Sequence, residues 1–310
     1  KTVTTEFATS YPGPTRHPQD PMRTPGGSSS GSAAAVADQM TVIALGTQTM
    51  GSVIRPAAYC GIVGYKPSFG LINRAGVKAQ AESIDTIGIL ARSIDDAALV
   101  GSVLFGAAPA AFAGATSKPP RIALYHGPNW DFVEGPAKDA LGMAASILSK
   151  NGAVISDVGS PVILSAALDA HLKIVGFELA RALTYEWDNH RDKLSTTLRD
   201  LIQFGFDVPF EDYLEAQKTA FEARQWIATS FAQVDLWLTA SALGEAPQGL
   251  SNTGDPVLNR LWSLLHLPVL TLPFGHGPAA LPLGIQLIGP FRADAHFLQN
   301  ARWIEKILAV

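Results

Sequence analysis

The chain has 310 residues, 47% of them hydrophobic and 16% charged, with a formal net charge of −4 at pH 7. That is enough apolar material for one large core or two ordinary ones, and it leaves no basic surplus to neutralise phosphates, which excludes wholesale nucleic-acid binding and favours a small neutral or anionic substrate. The single cysteine, Cys60, cannot form an internal disulfide, no Cys/His spacing suits zinc, and no apolar run approaches a membrane span, so the sequence predicts a globule in a reducing, cytoplasmic setting with no metal and no membrane contact.

In chain order, Lys1 to Ala8 begin without Met and without a basic start leading into an apolar run, and read like the middle of a protein; an N-terminal segment is expected before them. Tyr11 to Pro25 carry Pro12, Pro14, Pro18, Pro21 and Pro25, which forces extended loop and turn. Gly26-Gly27-Ser28-Ser29-Ser30-Gly31-Ser32 then leads into a small-residue helix over Ala33 to Ala37, with one of those serines as its cap. Thr41 to Leu45 predict a buried strand, and Gly46 to Pro56 a glycine-bearing loop.

Beyond that loop, short strands are expected at Ile62 to Val63, Ile87 to Leu90 and Arg121 to Tyr125, alternating with helices over Ser93 to Phe105 and Ala137 to Asn151. Leu164 to Ile202 and Phe210 to Ala232 space their apolar residues as surface helices that cover a sheet, and Val234 to Thr239, Val269 to Leu272 and Gly284 to Ile288 complete the strands. The alternation predicts an α/β fold. With no internal repeat and no convincing linker, residues 1–310 read as one domain.

Two serines in glycine settings carry the chemistry: Ser28 after Gly26-Gly27, and Ser52 in Thr49-Met50-Gly51-Ser52-Val53-Ile54-Arg55-Pro56. A serine hydroxyl is a poor nucleophile until a base takes its proton, and the N–H groups of a tight loop supply an oxyanion hole beside it. Alone, the Ser/Gly run would read as a flexible linker. It holds no Gly-x-x-x-x-Gly-Lys-Ser/Thr phosphate loop. Gly27-Ser28-Ser29-Ser30-Gly31 formally matches the Gly-x-Ser-x-Gly elbow of α/β-hydrolases with Ser29 as nucleophile, but an elbow must follow a strand and a proline-rich loop precedes this one.

The ordered set of motifs resembles the amidase-signature family. It comprises the Gly-Gly-Ser-Ser run, the Gly51-Ser52-Val53 loop ending in Pro56-Ala57, Gly61-Ile62-Val63-Gly64-Tyr65-Lys66-Pro67, Asp85-Thr86-Ile87-Gly88, Thr253-Gly254-Asp255-Pro256, Asn259-Arg260-Leu261-Trp262, and Leu281-Pro282-Leu283-Gly284-Ile285-Gln286-Leu287. The resemblance implies a large mixed, mostly parallel sheet sandwiched between helical layers. It also implies a Ser-cis-Ser-Lys triad in which Ser52 attacks the amide carbon, Ser28 relays the proton, a neutral lysine is the base, and no cofactor is needed. The N–H groups of Thr49, Met50, Gly51 and Ser52 would hold the oxyanion, and Gly27 and Ser29 would line the substrate site.

Two departures stand out. The family's lysine lies well before the Gly-Gly-Ser-Ser run, and the only lysine preceding Ser28 is Lys1, which matches a different Lys-Thr of the pattern; the segment carrying the base is expected to be missing from the 310 residues. Lys66 sits in a run that is structural in the family. Met50 stands where small residues are usual; its N–H survives, and its side chain would narrow the acyl pocket. Arg55 is the candidate for gripping a substrate carboxylate, against a reading in which it pairs with a structural Asp, and its surroundings look like malonamidase-type members acting on short amides that bear an acid. His126, His190 and His296 are expected at the surface, His266 at a helix end, Cys60 in the core, Trp262 at a pocket and Thr239 to Ala242 near substrate. The expected partner is a small-molecule amide, with a homodimer possible. The competing functions are a non-catalytic subunit of amidase-like fold, and an amidotransferase A-type subunit, which would need a partner.

Overall fold

The computed structural model describes residues 13–309, so Lys1 and the Thr-rich start lie outside the described residues. Eight strands form one sheet: β1 (Ile43–Gln48), β2 (Val63–Lys66), β3 (Thr86–Ala91), β4 (Arg121–Tyr125), β5 (Val154–Val158), β6 (Leu236–Ala240), β7 (Val269–His276) and β8 (Pro282–Ile288), in the order β1-β3-β2-β7-β8-β6-β4-β5. The helices are α1 (Ser30–Ala37), α2 (Ile54–Cys60), α3 (Ile94–Leu104), α4 (Gly135–Lys150), α5 (Val162–Ala182), α6 (Thr184–His190), α7 (Thr196–Asp207), α8 (Phe210–Ser230), α9 (Arg260–Leu264) and α10 (Asp294–Leu308).

The sandwiched mixed sheet agrees with expectation, but its strands are not mostly parallel. Only β4–β5 and β4–β6 are parallel; β1–β3, β2–β3, β2–β7, β6–β8 and β7–β8 are antiparallel. The reason lies in the connections. A parallel pair needs a crossover, which α4 supplies between β4 and β5 and α5 to α8 supply before β6, whereas β7 and β8 join through a short turn and β2 and β3 through a loop with no helix.

Side-chain alternation separates two layers. Leu236 and Leu238 enter a cluster with Leu270, Leu272, Ile285 and Leu287, covered by α3, α4 and α10. Trp237 points the other way, into a cluster with Tyr125, Trp262, Val269 and Ile288 that is covered by α5, α8 and α9. Trp237 and Trp262 meet nearly edge-on at 5.9 Å, a contact worth about 1 kcal/mol beyond its burial. The helix α2 lies almost on the sheet because the strands below it carry glycine. A Cβ at Gly64 would stand 2.6 Å from the Cβ of Ala57, and one at Gly284 would stand 2.9 Å from that of Ala58. No helix among the described residues is long and apolar enough to cross a membrane.

Several boundaries move. The long helical stretch from Leu164 breaks at Leu183 and again at residues 191–195 into α5, α6 and α7. The strand expected over Thr41 to Leu45 is β1, displaced toward its C-terminus and placed at a sheet edge where Leu45 is exposed rather than buried. Ser29 occupies the cap position of α1, yet its hydroxyl makes no cap; it turns to the backbone of Thr47, accepting from N–H at 3.3 Å and facing the carbonyl at 3.4 Å.

Candidate active site

The loop between β1 and α2 is short, Thr49 to Val53, and Gln48 closes it. The buried Gln48 Oε1 accepts the N–H groups of Val53 and Ile54 at 2.9 and 3.0 Å, while its Nε2 donates to Ser263 Oγ at 3.0 Å. One side chain thus ties the end of a strand to the start of a helix and to α9. Gly51 sits against the side chain of the buried Asn259, where a Cβ would come within 2.5 Å of Oδ1. Asn259 Nδ2 in turn donates to the Ser241 carbonyl at 2.9 Å and to Gln286 Oε1 at 3.0 Å. The sheet face beneath the loop is therefore polar, and its polar groups are used to hold the loop in place.

Every carbonyl from Thr49 to Ser52 has a donor. Thr49 O faces His171 Nε2 at 3.3 Å, Met50 O accepts from Ser263 Oγ at 3.1 Å, Gly51 O from Arg55 N–H at 2.9 Å, and Ser52 O from Ser29 N–H at 3.2 Å. The N–H groups of Met50, Gly51 and Ser52 have no acceptor among the described residues. Thr49 is fixed further by its hydroxyl, which donates to Asp85 Oδ1 at 2.5 Å, and Asp85 Oδ2 accepts from the N–H groups of Gln80 and Ala81 at 2.7 and 3.2 Å. Burial pushes the Asp85 carboxyl above its ordinary range against the pull of those hydrogen bonds. Met50 keeps a negative φ, so its Cβ is accommodated, and its side chain packs on the cluster around Trp262.

The Ser29–Ser52 hydrogen bond brings the two serine runs together. The Gly27–Ser28 peptide is cis. Arg55, nearly fully buried, donates from Nη2 to the Gly27 carbonyl at 2.8 Å and to Thr253 Oγ1 at 3.0 Å. Its other two donors, Nε and Nη1, are buried without a partner among the described residues. Arg55 forms no ion pair among the described residues; burial lowers its pKa against the pull of Tyr59 and Asp255. Ser28 and Ser29 open onto a cavity of about 350 Å³ that also touches Thr47, Val77 and Ile87. Lys66 is fully buried on β2; its ammonium donates to the Pro67 carbonyl at 2.9 Å, and burial lowers its pKa to about 7 against the pull of Asp294.

Residues 2–298 match the family described as Amidase. The chain belongs to the amidase family. It is similar to the A-type subunit of glutamyl-tRNA(Gln) amidotransferase from Synechococcus elongatus, 32% identical over 329 aligned positions that span 93% of this chain and 68% of the relative. The corresponding protein of Prochlorococcus marinus is 30% identical across 99% of this chain and 73% of its own length. Among solved structures, one described as an amidase superposes with a TM-score of 0.88 at 28% identity, covering 97% of this chain and 70% of that one. The peptide amidase from Stenotrophomonas maltophilia follows at 0.80 and 25%, covering 96% and 69%. This amidase-family chain is thus an amide hydrolase by family, on a fold shared with those structures.

The fold of this amidase brings together the residues that the sequence singled out: the Thr49 to Ser52 loop, both serine runs and Arg55. It adds His171 and Ser263, which sequence reasoning missed. A lone histidine on a long helix carries no local signal, and Ser263 lies one position beyond the Asn259 to Trp262 run. His266 does follow α9, Cys60 is buried with its thiol pushed up to about 12, and Trp262 borders a small cavity with Tyr125 and Leu168.

Proposed function

We propose that this chain hydrolyses a small carboxamide to carboxylate and ammonia, with Ser52 as nucleophile and Ser28 as the group that passes the Ser52 proton to the leaving amine. The observation that supports this best is the loop itself, in which four consecutive carbonyls are engaged and the N–H groups of Met50, Gly51 and Ser52 are left without acceptors beside the Ser52 hydroxyl. Such donors stabilise charge that develops on a carbonyl oxygen during attack, and removing one typically costs about 10²–10³ in rate. The amide oxygen would sit among these N–H groups while Ser52 Oγ bonds to the carbonyl carbon. The C–N bond then breaks as Ser28 supplies the proton, and water releases the acid. The proposed base is a lysine that is not among the 310 residues, Lys1 matching a different part of the family pattern; Lys66 donates to the Pro67 carbonyl and has no hydrogen bond to Ser28 or Ser52 among the described residues.

The substrate class proposed is a short amide bearing an acid, as in malonamidase-type enzymes, and Arg55 supports it. The buried guanidinium keeps Nε and Nη1 without a partner among the described residues, and either could donate a charge-assisted hydrogen bond to a carboxylate that reached it. The same side chain also positions Ser28 through the Gly27 carbonyl. A fluorophosphonate probe with peptide mapping tests the nucleophile: label on Ser52 supports the assignment, whereas label on Ser29 would move the chemistry to the α/β-hydrolase elbow. The second reading, an amidotransferase A-type subunit, is favoured by the relatives at 30–32% identity. It predicts glutaminase activity that rises when a partner protein is added, with no preference for acid-bearing amides.

A further inference from the structure

Two of the four carbonyls in the nucleophile loop are held by side chains from distant helices. His171, on α5, is fully buried, and its Nε2 lies 3.3 Å from the Thr49 carbonyl oxygen; Nδ1 has no partner among the described residues. A carbonyl oxygen can only accept, so Nε2 carries the proton, and a second proton on Nδ1 would leave a buried charge with no compensating group in contact. His171 is therefore the neutral Nε2–H tautomer. Ser263, on α9, receives a hydrogen bond from Gln48 Nε2 at 3.0 Å and gives its own hydrogen to the Met50 carbonyl at 3.1 Å. The direction of that relay is fixed, because Gln48 Oε1 is already occupied by the N–H groups of Val53 and Ile54.

The peptide bonds from Thr49 to Gly51 are trans. In a trans peptide the C=O and the following N–H point in opposite directions. Pulling the Thr49 carbonyl toward His171 therefore turns the Met50 N–H to the other face of the loop, and pulling the Met50 carbonyl toward Ser263 does the same to the Gly51 N–H. We propose that His171 and Ser263 are positioning residues of the amidase site, clamping two successive peptide planes so that the Met50 and Gly51 amides stay aimed at the oxyanion formed on the acyl group attacked by Ser52. This rests on the assignment of Ser52 as nucleophile. Neither residue lines the cavity onto which Ser28 and Ser29 open, and both act through the backbone they hold.

The clamp predicts a loss concentrated in the transition state, because the aimed amides matter most when the carbonyl oxygen is charged. His171→Leu removes the donor at similar volume, and Ser263→Ala removes the hydroxyl. Each should lower kcat about tenfold with KM changed less than about twofold, and slow phosphonylation of Ser52 in parallel; the loss is smaller than for deleting a donor because the N–H groups remain. His171→Gln, which can return an N–H to the Thr49 carbonyl, should recover most of the rate. The assay is run on the full-length natural protein, with the wild-type adduct mapped first. Label on Ser52 together with unchanged kcat in His171→Leu and Ser263→Ala would overturn the clamp and leave the nucleophile standing. A wild-type protein that is never labelled at Ser52 would overturn the nucleophile and the clamp with it. Should His171→Leu fail to fold, Ser263→Ala decides alone by the same split between kcat and KM.

Discussion

Lys66 offers a test in which stability and catalysis part company. Its ammonium is fully buried with one carbonyl partner, and burial lowers its pKa from 10.5 to about 7. The unfolded chain keeps this lysine protonated up to its ordinary pKa, while the folded chain has begun to release the proton near neutrality. The unfolded state therefore binds more protons between pH 7 and 10.5, and folding stability rises with pH across that window. Integrated from pH 7 to 9, where the folded group goes from half to almost wholly neutral, the gain is about 2 kcal/mol. Lys66→Met keeps the length and apolar stem without the amine. Urea denaturation at pH 7, 8 and 9 should show the wild type gaining about 2 kcal/mol relative to Lys66→Met across the series. Fluorophosphonate labelling of the variant should match the wild type at every pH. Parallel stability curves would refute the depressed pKa, and lost labelling would place Lys66 in the chemistry.

Further outcomes follow from the other buried groups. Burial lowers the His171 pKa from 6.5 to about 4, so the unfolded chain takes up a proton in that window and the folded one does not. Stability should fall by about 3 kcal/mol as pH drops from 6.5 to 4, and His171→Gln should flatten that part of a urea-midpoint profile. Arg55→Ala should slow Ser52 phosphonylation at least tenfold even with a neutral probe, since the Gly27 carbonyl loses its donor, and should also erase any preference for acid-bearing amides; stopped-assay rates on paired substrates read both. Gly51→Ala places a Cβ about 2.5 Å from Asn259 Oδ1 and should abolish labelling, whereas Gly31→Ala, where a Cβ meets nothing within 4 Å, should leave it intact. Asp85→Asn keeps the shape but weakens the hold on the Thr49 hydroxyl, and a fall in kcat with KM little changed is expected in steady-state kinetics.

Sequence legibility followed the range of the interactions involved. β4 was readable to the residue, because Arg121 to Tyr125 is a compact run with four consecutive non-charged, mostly apolar residues after Pro120, and α3 was readable from the helical pattern over Ser93 to Phe105, where the Ser93 side chain accepts from Asp96 N–H. The helix α10 went unread although Phe297, Leu298, Ala301, Ile304 and Leu308 face the core at helical spacing. β5 carried almost no signal, since it is an edge strand with Val154 exposed and Ser156-Asp157 in its middle. Pairing directions depend on which connections hold helices, and the strand order could not be taken from local pattern. At the site, the serines were legible because their chemistry is written in adjacent residues. Arg55 was found as a candidate, but its bond to the Gly27 carbonyl is a tertiary contact that no spacing encodes, and the hold of His171 on Thr49 is likewise invisible until α5 is folded across the loop.

Whether Ser52 is the nucleophile of this amidase-family hydrolase is read by mapping the adduct of a fluorophosphonate on the natural protein. A single phosphonyl group on Ser52 is expected, lost in Ser52→Ala and formed more slowly in Ser28→Ala. An adduct on Ser29, or labelling that persists in Ser52→Ala, would contradict it.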